Sequence, residues 1–246
     1  MKKRIEHTEI VIQGTKVPIK VYYEKRRGIR ASIGKDAAIL RLPYNLPALQ
    51  QKERKQWFED WLLKQAKKYP HLLDQFTRRV YQSGDELTVG KRKYKIHITK
   101  EDRKTHTGTL ENGLIHLKLS QFDEGAELQK NIRHLISRLV AKDFHPAINY
   151  RVNELNQQYF NKNIKGVKLK YNHSNWGSCS TNGYINLSTR LLFAPNAVID
   201  YVIIHELAHL IEFNHSKKFW NIIEQIMPEY RDMERWLKEQ GGKCHF

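Results

Sequence analysis

The segment from Asn196 to Phe213 constrains this chain most. Read as a helix, it carries Ala197, Val198, Ile199, Val202, Ile203, Ile204, Leu207, Ala208, Leu210 and Ile211 around almost its whole circumference. A helix that is apolar on every side has no solvent face, so it belongs in the interior with other layers packed around it. His205, Glu206 and His209 interrupt the apolar run. Burying these groups without partners costs on the order of several kcal/mol, whereas a divalent cation satisfies all three, directly or through water.

His205 and His209 stand four positions apart, one turn along the same helical face, so both imidazoles can reach one ion. Glu206 is rotated beside them, where its carboxylate meets water on that ion, the logic of an H-E-x-x-H run. The expected third ligand is His215, directly after Asn214, because Asn tolerates a left-handed backbone that ends the helix and swings the next side chain back. Glu212 is the rival third ligand. On one helix, however, positions 205 to 212 span about 10 Å of rise, too far to converge, which leaves Glu212 a supporting or surface role. The three-histidine spacing is that of the metzincin run, with Glu212 where that motif has Gly. Ser216 is expected to cap a following helix containing Phe219, Trp220, Ile223 and Ile226, whose apolar side backs the His215 turn.

Upstream, Trp176-Gly177-Ser178-Cys179-Ser180 and Tyr184 to Ser188 read as a hairpin turned at Asn182-Gly183. An exposed edge there would let an extended peptide pair with its backbone. Cys179 reads as a small buried thiol rather than a nucleophile or ligand, since a histidine-bound metal already activates the nucleophile. With Cys244 it completes a set of two cysteines, too few for a disulfide framework and wrongly spaced for a metal knuckle.

The expected fold class is α+β: a basic, strand-rich region over residues 1–122, then a mainly helical domain with a small β-sheet over 123–246. Strand patterns run from Glu9 to Gln13 and Lys16 to Tyr23 about a Gly14-Thr15 turn. They recur at 29–33, 38–42, 86–89, 93–98 and 114–119. Between them, residues 47–68 have helical spacing with Trp57, Trp61 and Leu62 near one face. From residue 123, Leu128, Ile132, Leu135, Ile136, Leu139 and Val140 follow an amphipathic helix that Pro146 is expected to break or kink, with the pattern resuming to Phe160. No internal repeat is legible.

The formal net charge is +17, and residues 1–100 hold 24 Lys and Arg against 10 Asp and Glu. Such a surface attracts phosphate backbones, which makes nucleic acid a candidate partner; its other reading is a solvated, lysine-rich face. The Met1-Lys2-Lys3-Arg4 start lacks the apolar run of a signal peptide, and no apolar stretch approaches eighteen residues, so the expectation is a cytoplasmic protein without a membrane partner. Oligomeric state is not legible.

Taken together, Trp176 to Ser180, Ile185 to Leu191, Ile199-Asp200-Tyr201, His205 to Leu210, Asn214-His215-Ser216, Phe219-Trp220 and Pro228 resemble the YgjP-like metallopeptidases, a zincin group similar to SprT-like proteins. The resemblance is strongest over residues 165–240. It implies a zincin-like domain holding one zinc ion through His205, His209 and His215, with Glu206 catalytic. Departures are Asn175, where an Arg commonly precedes the Trp-Gly-Ser-Cys run, and Ser188, where an Asn usually follows Leu187. The expected function is a zinc metallopeptidase in which Glu206 acts as general base on metal-activated water, with His173, Tyr171 and Tyr184 as candidate oxyanion donors. The alternatives are a metal-dependent hydrolase of a nucleotide, phosphoester or other non-peptide substrate, and a noncatalytic zinc-binding module.

Overall fold

A computed structural model describes the chain except residues 1–3, 35–36, 70–71, 74–75, 77–78 and 173. The fold is α+β and divides into two compact units, Met1–Arg78 and Arg79–Phe246.

In the first unit, β1 (Arg4–Ile12) and β2 (Thr15–Glu24) form an antiparallel hairpin, followed by β3 (Arg30–Ile33), β4 (Ala38–Pro43) and helix α1 (Ala48–Lys68). The sheet order is β1-β2-β4-β3, with β2 and β4 parallel. The hairpin turns at Gln13-Gly14, one residue earlier than expected, because both residues take the positive φ that a two-residue turn requires. Alternation along β2 buries Val17, Ile19 and Val21, which meet Leu40 and Leu42 of β4 and Phe58, Leu62 and Ala66 of α1. The buried face of α1 is therefore Phe58-Leu62-Ala66, at i, i+4 and i+8. Of the three residues expected near one face, Leu62 is buried and Trp57 is 43% exposed, while Trp61 stacks on Phe58 at 5.7 Å.

The second unit opens with β5 (Glu86–Val89), β6 (Arg92–Glu101), β7 (Thr107–Glu111) and β8 (Leu114–Ser120), then α2 (Gly125–Leu155). Its sheet order is β5-β6-β8-β7, with only the central β6–β8 pair parallel. This is the β1-β2-β4-β3 arrangement again, with a helix following in each case. The chain thus contains a topological repeat that its sequence hides, because each copy keeps the alternation of buried positions and not the residues themselves.

The change of pattern expected at residue 122 falls inside this second unit, where β8 leads into α2. Ile96, Ile115, Leu117 and Leu119 of the sheet share one core with Ile132, Ile136 and Val140 of α2, so strands and helices cannot be parted there. Nor does Pro146 break α2, which runs unbroken from Gly125 to Leu155 and ends in a single π turn, Asn156–Phe160. A mid-helix proline costs about 3 kcal/mol. Burial of Val140 and Ile148 on either side, and of Val152 and Leu155 beyond, offsets it.

Three short strands follow: β9 (Gly166–Lys170), β10 (Gly177–Cys179) and β11 (Tyr184–Ser188), in the order β10-β11-β9. The β10–β11 hairpin forms as expected, but its turn centres on Thr181-Asn182, closed by the Gly183 N–H donating to the Ser180 carbonyl at 2.8 Å, and of the expected Asn182-Gly183 pair only Gly183 takes a positive φ. Strand β9 joins β11 in parallel from outside the hairpin. Helices α3 (Asn196–Ala208), α4 (Lys217–Ile226) and α5 (Tyr230–Gln240) complete the unit. Val198, Val202, Ile203, Ile204 and Leu207 of α3 are each 3% exposed or less, as its all-round apolar surface demands. Among the described residues, no helix is long and apolar enough to cross a membrane.

Candidate metal centre

The last turn of α3 carries His205 and Glu206, and His209 sits at the cap just beyond Ala208. The helix ends here and not at Phe213. Leu210 and Ile211 close tight turns onto the carbonyls of Leu207 and Ala208 at 3.0 and 2.9 Å. Asn214 does not adopt the left-handed backbone expected of it; among the described residues only Gln13, Asn112 and Asn161 do so without being glycine. The early exit has a use. It brings the Glu212 carbonyl to 3.1 Å from His209 Nδ1, a contact that helical carbonyls, all pointing toward the C-terminus, could not make. Glu212 thus contributes its backbone, while its side chain lies 3.9 Å from Lys218 Nζ.

The same turn returns His215 to the helix end. One ring nitrogen from each of His205, His209 and His215 lies within 4.8 Å of the others, and His205 Nε2 stands 3.0 Å from His215 Nε2. Two nitrogens held about 2.0–2.1 Å from one ion in tetrahedral array are roughly 3.4 Å apart, a value these distances bracket. The donor set therefore fits a zinc-type ion. Its charge state fits as well. Burial, then the neighbouring histidines, push the His205 pKa down to about 3, and burial lowers that of His209 against the Glu212 carbonyl. Neutral imidazoles are the form that a metal takes.

Phe219 of α4 is fully buried beneath the cluster, its ring centroid 4.9, 4.6 and 4.8 Å from those of His205, His209 and His215. Ser216 caps α4 as expected, its hydroxyl accepting from the Phe219 N–H at 3.4 Å, so the residue after His215 anchors the helix that supports all three rings.

Glu206 is only 5% exposed and lies against β10. A methyl group at Gly177 would sit 2.5 Å from Glu206 Oε1. Burial raises the Glu206 pKa to about 7 despite a hydrogen bond from the Cys179 backbone. The Cys179 thiol is itself pushed up, by burial and then by the Glu206 charge, which keeps it protonated and unsuited to nucleophilic attack. Cys179 and Cys244 are both free.

These groups line a cavity of about 590 Å³, walled on one side by Trp176 to Cys179 and on the other by α3, with Glu234 and Leu237 of α5. No Lys or Arg lines it among the described residues. The strand on its rim, β10, is an edge of its sheet. Two of the expected oxyanion donors do not reach the cavity: Tyr171 packs edge-on against Phe246 at 5.6 Å, and Tyr184 lies under Lys168 Nζ at 3.8 Å. His173 lies outside the described residues. Tyr201 and Glu234 line the cavity instead, and the sequence reading missed both. Tyr201 left a trace, one helical turn before His205, whereas Glu234 comes from a separate helix. The two departures brace the approach to β10: Asn175 Nδ2 donates to the Gly177 carbonyl at 2.8 Å, and the Ser188 hydroxyl to the Asn172 carbonyl at 2.6 Å.

The chain is similar in part to several known proteins. The chain is 29% identical over 89 residues to a UTP pyrophosphatase of Escherichia coli (strain K12), a match covering 36% of this chain and 53% of that protein. It thus spans about half the length of the curated relative it matches. Two crystal structures of metallopeptidase zymogens resemble it in part. Pyrococcus abyssi abylysin is 22% identical, with 37% of this chain and 92% of that chain covered, at a TM-score of 0.34. Methanocaldococcus jannaschii jannalysin is 23% identical, with 38% and 95% covered, also at 0.34. A family model, that of the YgjP-like metallopeptidase domain, matches residues 27–240. With nearly the whole chain inside that match and the histidine cluster within it, this protein belongs to the YgjP-like metallopeptidase family.

Proposed function

We propose that this protein is a zinc-dependent peptidase that holds one ion through His205, His209 and His215 and uses Glu206 as general base. The observation that carries the reading is the convergence of three imidazole nitrogens within 4.8 Å in a cavity shared with the buried Glu206 carboxylate. The family implies a divalent metal; its identity as zinc and the count of one are our proposal. When bound, such an ion supplies Lewis acidity that polarises a carbonyl and makes water a stronger nucleophile.

The chain's own groups do the rest. Glu206 accepts the proton shed by the attacking water and returns it to the leaving amine, and a carboxylate whose proton affinity burial has raised toward neutrality suits both transfers. The free edge of β10 pairs with an extended peptide, laying the scissile bond beside Glu206. Replacing Glu206 with Gln should leave zinc stoichiometry unchanged while turnover falls about 10²–10⁴-fold. Turnover within a few-fold of wild type in Glu206→Gln would refute the general-base role.

A second reading is hydrolysis of a nucleoside triphosphate by the same centre, favoured by the partial likeness to the E. coli UTP pyrophosphatase. The absence of Lys and Arg from the described cavity lining favours the neutral amide. A noncatalytic zinc module is a third reading, and the buried Glu206 carboxylate beside only three candidate protein ligands argues against it, since a purely structural site would take four. Purified protein should release amines from casein or peptides; release of pyrophosphate from UTP with no peptide cleavage would reverse the order of the first two readings.

We also propose a cytoplasmic role in which the N-terminal unit engages nucleic acid, since residues 1–78 hold 18 Lys and Arg against 8 Asp and Glu. Fluorescence anisotropy with DNA and RNA should give binding that weakens steeply with salt. Binding insensitive to salt would count against it.

A further inference from the structure

A histidine that ligates a metal through one ring nitrogen needs its other nitrogen oriented, usually by a carboxylate, a carbonyl or water. His209 has the Glu212 carbonyl. The Nδ1 of His205 faces a different partner, the Tyr201 hydroxyl at 3.5 Å, the long limit of a hydrogen bond. That hydroxyl in turn donates to Glu234 Oε1 at 3.1 Å. A phenol has one proton. Once given to Glu234, it leaves oxygen lone pairs that can only accept, so the matching form of His205 carries its proton on Nδ1. The Nε2 lone pair is then directed toward His215 Nε2, 3.0 Å away.

The Tyr201 ring is held on its other sides. It stacks on Tyr230 at 6.4 Å and 20°, Tyr230 stacks on Trp220 at 5.5 Å and 22°, and Trp220 lies against His215 at 5.8 Å and 29°. Helices α4 and α5 thereby join His205 to His215 through a continuous aromatic circuit, with Glu234 anchoring the hydroxyl at its α5 end.

We infer that Tyr201 and Glu234 are positioning residues that act in series, Glu234 orienting the Tyr201 hydroxyl and Tyr201 setting the tautomer and angle of the ligand His205. The inference rests on the proposed metal centre. Zinc affinity, measured without substrate by competition with a chromophoric chelator, tests it in the full-length wild type, Tyr201→Phe, Glu234→Ala, Glu234→Gln and the Tyr201→Phe, Glu234→Ala double variant. Tyr201→Phe keeps the stacked ring and removes only the hydroxyl, and it should weaken zinc binding about 10–100-fold. Glu234→Ala should lose affinity too. Glu234→Gln should regain most of it, because the amide oxygen still accepts from Tyr201.

The double variant should bind no more weakly than Tyr201→Phe, since links in series are not additive. Exposed Glu224, changed to Ala on α4, should bind as wild type does. Unchanged affinity in Tyr201→Phe, losses that add in the double variant, or equal losses in Glu234→Ala and Glu234→Gln would each overturn the inference while leaving the metal centre standing. Should Tyr201→Phe fail to fold, the exposed Glu234 pair decides alone. A wild type that takes up no zinc would bring down both the inference and the metal centre beneath it.

Discussion

At Gly177 the backbone of β10 runs so close to α3 that an added methyl group would lie 2.5 Å from Glu206 Oε1 and 2.7 Å from its Cγ. The carboxylate is the softer partner, being the end of a side chain facing a backbone fixed by its pairing with Leu187. Gly177→Ala should therefore leave the fold and the metal in place and push the proposed base aside. A displacement near 1 Å at a reacting group costs about 100-fold in rate. The expected result is full zinc content with kcat down by about that factor; a variant with wild-type kcat would show that Glu206 has room to spare. Gly177 stood in plain view within the Trp-Gly-Ser-Cys run, yet nothing local to it announces what its missing side chain makes room for.

Between α3 and α4, the seven residues 209–215 convert one helix end into a three-histidine cluster. The support is α4. Phe219, with no exposed surface, touches all three imidazoles, and Ser216 caps the helix that carries it. Removing such a ring usually costs about 3–5 kcal/mol. Phe219→Ala should lower the unfolding free energy of the metal-free protein by that amount in a denaturant titration, and should weaken zinc binding because the rings lose their common floor. Normal zinc affinity in a folded Phe219→Ala protein would show that the rings hold themselves. The helical spacing of Phe219, Ile223 and Ile226 was legible because one helix generates it. The early end of α3 was not, since the apolar pattern continues through Leu210 and Ile211 and only the Glu212 carbonyl on His209 explains the stop.

Across the whole molecule, the same four-stranded order followed by a helix appears twice, once in each unit. Only the second copy continues into α3, α4 and α5, and its core runs without interruption from Leu87 to Phe246. A fragment of residues 79–246 should therefore fold cooperatively and bind zinc as the full chain does, read by circular dichroism on heating and by metal content. An unfolded fragment would mean that the first unit is needed to complete the second. The same fragment should lose the salt-sensitive nucleic-acid binding proposed for the N-terminal unit; binding undiminished by the deletion would move that interface elsewhere.

What the sequence determined by itself was whatever one helix or one hairpin can specify. The pairing of His205 with His209, the β10–β11 hairpin, the cap at Ser216 and the α+β class all follow from spacings of a few residues, which backbone geometry converts directly into position. Tertiary structure alone decided the rest: Glu234 meeting Tyr201 from 33 residues away, Gly177 yielding its space to Glu206, β9 joining its sheet in parallel, and the division at residue 78 rather than 122. Each of these joins segments distant along the chain, where contact is chosen by how whole faces pack and no local pattern records the choice.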